Sequence, residues 1–476
     1  MMLNSELTSR LDVIRATNKF AAQTLDRLAE FIVNAPEEEL FRMSPFRYAE
    51  RATISKATAI DLFLYATHAG ILNFNWGTIC PSCGAFITKE SGLRWLNTHQ
   101  HCSLCQLEMP AALDEQIEVA FTVSPAVRAI RFHHLDELEF ERDGFFTFFS
   151  TSVSFHPEVH HVISASLRAS YRIPAESVQD LAITLAPEHY MLMVPATHAV
   201  AHLPINESSS IHEADFELLF DGQLIPETFE LAPGPGLLHI HNRSRQAILL
   251  GLLCEKRMAP YMPEQRAAAA SIYTLTPYLT GKELINSQTF RDLFRTESIP
   301  PAGGLELKNL TLLFTDIKGS TAMYDRLGDF NAYALIREHF ASLRGIIAAQ
   351  HGAIVKTMGD SIMASFTDPA SALEAACQMR QQTQTASGEE LIIKIGIHAG
   401  PCIAIETNEQ LDYFGQTVNI ASRVQDVAQA GEIVCTEAVY HAPEVAAIIK
   451  RAGLRAEPDQ ALLKGVGNPL TFYRLT

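Results

Sequence analysis

The sequence of 476 residues predicts an α+β multidomain protein, and three observations carry that expectation. Helical periodicity dominates residues 1–78, short alternating runs broken by prolines and glycines fill 111–260, and from residue 305 strand-length apolar runs alternate with amphipathic segments. Between these regions lie a cysteine cluster at 79–110 and a helical segment with a Pro/Gly linker at 261–304. The length suits about three domains, each able to bury its own core.

The totals narrow the setting. A net charge of -17 argues against nucleic acid as a partner, because phosphate binding needs basic surface. No apolar run approaches the roughly 20 residues needed to span a bilayer, and Glu6 and Asp12 interrupt any signal-peptide core, so the expectation is a soluble cytoplasmic protein without a membrane partner. Four of the eight cysteines cluster and four are scattered singly, which is not a disulfide framework.

In the first region Leu7, Leu11, Ile14, Asn18, Ala21, Leu25, Leu28 and Ile32 recur every three or four residues, drawing one stripe along a single helix that ends near Pro36. The stripe either packs on the body of the protein or pairs in a short coiled coil with Asn18 fixing the register. Amphipathic segments at 46–51 and 55–69, a stop at Gly70 and an extended run to Trp76 are compatible with a winged-helix unit and equally with a plain helical subdomain.

Cys80 and Cys83 form one Cys-x-x-Cys knuckle, and Cys102 and Cys105 form a second at the spacing of a zinc ribbon. Each pair of thiolates can grip one edge of a tetrahedral ion, so one structural Zn2+ is expected. His99 and His101 are alternative ligands, and a redox switch or a catalytic zinc is the competing use. Residues 111–260 read as a mainly β domain of sandwich or barrel type, with strands at 159–168, 190–194, 216–220 and 237–240. It holds 11 of the 18 histidines, among them His156, His160, His161, His239 and His241. His239 and His241 share one face of a strand, a spacing usable by a metal, while hydrogen-bonded surface residues are the plainer reading. No motif here names a ligand, so the regulator, small molecule or protein, is left unspecified. Pro300, Pro301, Gly303 and Gly304 mark the linker that follows.

The chemistry lies in 310–366. Residues 310–314 are uninterrupted apolar, the pattern of a strand buried on both faces, and they deliver Asp316 at the tip. Gly319, Ser320 and Thr321 open a helix whose free N–H groups suit phosphate oxygens. Runs at 354–357 and 362–366 are joined by a tight Met358-Gly359-Asp360 turn. Two strand-tip carboxylates beside a phosphate-ready helix start point to a two-metal nucleotide site. Strand 310–316, helices 320–350, hairpin 354–366, helix 370–385 and strand 391–398 form a ferredoxin-like βαββαβ core. A strand at 402–406, a helix after Gly415 and a last strand near 470–473 follow.

Phe314-Thr315-Asp316-Ile317, Lys356-Thr357-Met358-Gly359-Asp360 and the run from Asp412 to Arg423 resemble, in order, the signatures of class III nucleotide cyclases, over 305–476. The upstream chain resembles, more loosely, the amino-terminal region of some bacterial cyclases. The resemblance implies attack of a ribose 3′-hydroxyl on the α-phosphate of the same nucleotide, with loss of pyrophosphate. It makes Asp316 and Asp360 the bridging ligands of two Mg2+ or Mn2+ ions, with the Ile317 carbonyl as a further ligand. Lys356 and Asp412 match the adenine readers: the lysine donates to the N1 edge and the carboxylate accepts from the 6-amino group, where guanylyl members usually carry a glutamate and a cysteine. Asn419 orients the ribose and Arg423 meets charge on the α-phosphate; standing four apart, they share a helix face. Lys464 matches a phosphate-binding lysine.

Such sites form between two cyclase domains, the metal aspartates from one and Lys356, Asp412, Asn419 and Arg423 from the other. A single copy therefore implies a homodimer with two equivalent sites. The expected function is a regulated adenylyl cyclase acting on ATP; the alternative is a non-catalytic, nucleotide-gated signalling module, against which the complete residue set argues.

Overall fold

The computed structural model describes residues 5–87, 99–110, 112–114, 116–257, 273–295, 304–382, 391–408, 410–465 and 467–476. Two compact units emerge, one built from 1–111 and 116–279, the other from 112–115 and 280–476. Among the described residues no helix is long and apolar enough to cross a membrane.

The first unit opens with two helices, Ser5–Arg15 and Ala22–Asn34, where the stripe predicts one. Asn18, at φ 52, makes the break, since a short polar side chain tolerates the left-handed region. Leu7, Leu11, Ile14, Leu25, Leu28 and Ile32 are all buried within the unit, so the stripe packs on the body and is not available for a coiled coil. Helix Pro45–Ala52 starts on its proline and stops at left-handed Thr53; Lys56–His68 is capped by Ser55, whose hydroxyl accepts from Thr58 N at 3.1 Å. Strand Leu72–Ile79 then pairs antiparallel with Ile117–Val123 and with Phe86–Ile87, around a fully buried Trp76.

The rest of the unit holds two four-stranded sheets. One orders Ala199–Leu203, Tyr190–Val194, Ile248–Cys254 and Leu167–Ile173; the other orders Leu224–Ile225, Glu213–Leu218, Gly234–Asn242 and Ser177–Leu185. Leu192, Leu250, Phe216 and Ile240, drawn from both sheets, share one core, which makes a sandwich. Residues 159–166, expected as strand, belong instead to helix Pro157–Ser166: the proline sits in the first turn, Val159 and Ser166 face inward seven residues apart, and the strand starts only at Leu167. His239 and His241 lie on the outer face, bonded to Asp180 at 2.7 Å and Asp215 at 3.1 Å, which is the plainer of the two expected uses.

The second unit is built on an eight-stranded sheet. Its elements run β1 (Leu305–Ile317), α1 (Ser320–Leu327), α2 (Asp329–Ala349), β2 (Ala353–Met358), β3 (Ser361–Phe366), α3 (Pro369–Gln381), β4 (Ile393–Thr407), β5 (Gln410–Phe414), α4 (Gln416–Asp426), β6 (Ile433–Thr436), β7 (Ala456–Ala461) and β8 (Leu470–Leu475). The sheet order is β2-β3-β1-β4-β6-β8-β7, with β5 paired to β4. The first four strands thus give the order of the βαββαβ core. Leu313, Ile317, Ile362, Ala364, Ile395 and Ile397 point to the face covered by α2 and α3. By the strand alternation Asp316, Ser361, Met363, Lys394, Gly396 and His398 project to the other face, where α4 packs.

Two local differences from expectation concern this sheet. The runs expected at 391–398 and 402–406 are parts of the single strand β4. Pro401, which reads as a break, falls opposite a bulge between Leu307 and Leu310, so its missing N–H costs no ladder bond; Lys308 N and Asn309 N donate instead to the Asp114 carboxylate. The unit also begins well before residue 305. Helices Gly281–Ile285, opened by the Thr280/Glu283 capping box, and Gln288–Leu293 belong to it. The expected helical run at 264–272 and the linker at 296–303 lie outside the described residues.

Candidate active site and metal centre

Asp316 stands one residue before the end of β1, on the face of the sheet where α4 packs. Ser361 Oγ donates to its Oδ1 at 2.9 Å, and Lys394 Nζ, directly opposite in the β4 register, donates to its Oδ2 at 2.7 Å. Asp360 sits in the β2–β3 turn, which Gly359 closes at φ 63. Its Oδ2 is buried and has no hydrogen-bond partner among the described residues. A buried carboxylate oxygen left free in this way, one residue from the serine that holds Asp316, fits a cation-binding role. Ile317 follows on the strand, and Gly319, at φ 71, starts α1 with Ser320 and Thr321 in its first turn.

Lys356 lies on β2, in register with Met363 and so on the same face as Asp316. Its Nζ donates to Asp412 Oδ2 at 2.6 Å. Asp412 is only 13 % exposed, and the β5 strand that carries it is braced from behind. Arg291 Nη1 donates to Leu411 O at 2.8 Å, Arg291 Nη2 to Tyr413 Oη at 3.0 Å, and Tyr413 Oη to Asn286 Oδ1 at 3.2 Å. Burial pushes the Tyr413 phenol up, so it stays a neutral donor.

Asn419 and Arg423 stand on α4, which Gly396 and Gly400 allow close to the sheet: a Cβ on Gly396 would lie 2.3 Å from Gln425 N. Asn419 is exposed, and Arg423 Nη1 donates to Asp426 Oδ2 at 2.9 Å. Lys464 occupies an exposed turn. The structure therefore gathers Asp316 with Ser361 and Lys394, and Lys356 with Asp412, whereas Asn419, Arg423 and Lys464 make no bond to these groups. Ser361, Lys394 and the Asn286/Arg291 brace were missed by sequence reasoning. The alternation of β4 was the available signal for Lys394; nothing local marks the brace.

In the first unit the Sγ atoms of Cys80, Cys83, Cys102 and Cys105 all lie within 4.8 Å of one another. Cys80 and Cys105 are 4.0 Å apart, and Cys83 and Cys102 are 3.7 Å apart. A tetrahedron of sulfurs about 2.3 Å from a zinc ion has edges of about 3.8 Å, so the donor set fits. Gly84 at φ 76 and Gln106 at φ 49 turn the backbone after each knuckle. Hydrogen bonding from Cys102 holds the Cys80 thiol well below its usual range. His198 places Nε2 3.4 Å from Cys102 Sγ, and its ring packs against that of Phe148 at a tilt of 39°. His101 faces Glu227 rather than the cluster, and the His99 side chain lies outside the described residues. Among the described residues no other group of three or more ligating side chains is present.

Residues 4–292 match the model of a family of unknown function, DUF5939, and residues 305–474 match that of the adenylate and guanylate cyclase catalytic domain. The second unit accordingly has a cyclase catalytic domain fold of mixed α/β content. Receptor-type adenylate cyclase GRESAG 4.1 of Trypanosoma brucei brucei is 29% identical over 208 residues, 35% of this chain and 16% of that protein. Adenylate cyclase of Lachancea kluyveri is 30% identical over 185 residues, 33% of this chain and 10% of that protein. The chain thus spans a sixth or less of these two relatives. Among solved structures, the guanylate cyclase domain of RhGC from Catenaria anguillulae in complex with GTP is 24% identical, with 36% of this chain and 97% of that chain covered and a TM-score of 0.32.

Proposed function

Because the chain belongs to the family of unknown function DUF5939 and carries a cyclase catalytic domain behind that region, we propose that it is a regulated adenylyl cyclase converting ATP to 3′,5′-cyclic AMP and pyrophosphate. The observation that carries the choice of ATP is the Lys356–Asp412 pair on the face that also bears Asp316. A lysine donor beside a carboxylate acceptor complements the N1 and 6-amino edge of adenine, and guanine would leave both mispaired.

On this reading Asp316, Asp360 and the Ile317 carbonyl hold two Mg2+ or Mn2+ ions, which supply acidification of the 3′-hydroxyl and neutralisation of the leaving group. Ser361 and Lys394 aim the Asp316 carboxylate. Gly319, Ser320 and Thr321 offer backbone N–H groups to phosphate oxygens. Asn419 orients the ribose, Arg423 meets the charge that grows on the α-phosphate, and Lys464 binds the outer phosphates. Asn419 and Arg423 make no bond to the aspartates of their own chain, which agrees with a homodimer in which each site draws on both copies. The four-cysteine cluster takes one structural Zn2+, four protein ligands leaving no open position. Reduced thiols suit a cytoplasmic setting, with the first unit regulating the second in intracellular signalling.

The test is turnover of ATP and GTP, side by side, by the purified chain with Mg2+ or Mn2+. Cyclic AMP as the main product is expected, and Lys356→Glu with Asp412→Cys should move preference toward GTP. Cyclic GTP from the unaltered chain would overturn the base-reading assignment. Nucleotide binding without either product under any metal would leave the non-catalytic module.

A further inference from the structure

Within the four-cysteine cluster Cys80 and Cys102 are 0% exposed, so water does not reach either residue. Four thiolates around one dication carry a net negative charge, and in a buried place that charge has to be met by N–H donors from the protein. One such donor comes from far along the chain.

His198 closes the turn from Pro195 to His198, between strands Tyr190–Val194 and Ala199–Leu203 of the sandwich. Its backbone sits at φ 57, a region that histidine tolerates better than most residues, and its N–H donates to Pro195 O at 3.2 Å. The residue is 4% exposed and its ring centroid lies 4.2 Å from that of Phe148, so the imidazole is held in place. Its Nε2 stands 3.4 Å from Cys102 Sγ, the length of an N–H···S bond once the larger sulfur is allowed for. Nδ1 has no hydrogen-bond partner among the described residues. The four sulfurs already complete a tetrahedral shell, so the ring stands outside it as a donor rather than a ligand. A metal-bound thiolate has no hydrogen to give, so the shared proton belongs to Nε2. The same pair of strands meets the knuckle again at His202, whose Nε2 is 3.4 Å from Ser103 O and whose Nδ1 is 2.9 Å from Glu255 Oε1.

We propose that His198 is a positioning residue of the zinc site, donating its Nε2–H to the Cys102 thiolate and so fixing how that sulfur meets the ion. The role rests on the zinc reading of the four cysteines and not on the cyclase reading. The bond spreads the thiolate's charge where no water can do so, and it leaves the remaining lone pairs for the ion. It also ties the metal to the sandwich. The second knuckle is gripped by the ion on one side and by the 190–203 hairpin on the other.

The experiment compares the full chain with His198→Phe, which keeps an aromatic ring and removes the donor, and with His198→Gln, whose amide N–H replaces it. Zinc affinity is read by competition with a chromophoric chelator, and the state of the sulfurs by the sulfur-to-metal charge-transfer bands of the cobalt-loaded chain. His198→Phe should hold zinc about tenfold more weakly or worse and move those bands to longer wavelength, while the d–d bands keep tetrahedral intensity. His198→Gln should recover most of both. Lost packing alone would not move the charge-transfer bands, so bands unchanged in His198→Phe overturn the proposal whatever the zinc affinity, as does a His198→Gln chain that behaves like His198→Phe. Should His198→Phe not fold, the unaltered chain loaded with a spin-half cadmium isotope carries the test. An imidazole N–H proton coupled to the metal through the sulfur is then expected, and its absence overturns the proposal. No uptake of zinc or cobalt by the unaltered chain overturns the zinc reading itself, and this role with it.

Discussion

Asp360 and Asp316 differ in what their own chain offers them, and that difference separates two substitutions. Asp360 Oδ2 is buried without a partner, so the Asp360→Asn variant should keep its thermal midpoint while losing turnover by about 100-fold or more, read by melting and by cyclic nucleotide output. Asp316→Asn loses the bond to Lys394 as well, so it should be both inactive and less stable. A second residue-scale effect concerns pH. Burial pushes His398 down to about 4, with Nδ1 held 2.8 Å from Thr436 Oγ1, and it lowers buried His339 in the same direction. Between about pH 6.5 and 4 the unfolded chain takes up a proton at position 398 that the folded chain does not, so stability is full above about 6.5 and falls as the pH drops. The slope per histidine is at most about 1.4 kcal/mol per pH unit. Urea unfolding of the second unit at several pH values should show it, and His398→Gln should flatten part of it, His339 keeping the remainder.

At the scale of elements, α4 lies close against β4. A Cβ at Gly396 would lie 2.3 Å from Gln425 N and 2.5 Å from its Cα, both backbone atoms that no rotamer change can move. Gly396→Ala should therefore destabilise the unit by about 1–3 kcal/mol and lower turnover, because Asn419 and Arg423 ride on the displaced helix. Denaturant midpoints and rates measured together check it; an unchanged rate would uncouple the helix position from the chemistry. Elements also show where sequence patterns mislead. The stripe from Leu7 to Ile32 keeps its apolar spacing across Asn18, so periodicity alone joined two helices. Gly400-Pro401 reads as a break, yet the bulge in β1 and the Asp114 carboxylate remove the need for the missing donor. At 159–166 the β-branched residues suggested strand, and Pro157 in the first turn settled a helix.

For the molecule as a whole, the two units make separate predictions. The zinc reading expects one zinc per chain by elemental analysis, and chelation should lower the melting of the first unit by several degrees or more. The dimer reading is tested by mixing Asp316→Asn with Asn419→Ala, each inactive alone. Random pairing leaves half the dimers mixed, each with one intact site, so about a quarter of wild-type activity should return, and none should return if each site is built from one chain. The sequence by itself determined the motif residues and the βαββαβ order, because Asp316, Asp360 and the four cysteines announce themselves through local spacing and strand-length apolar runs. It determined too little to place Lys394 against Asp316 or Arg291 behind Asp412. Only the tertiary structure decided those, since each joins side chains from segments far apart in the chain, and pairing register and packing, not local pattern, set which atoms meet.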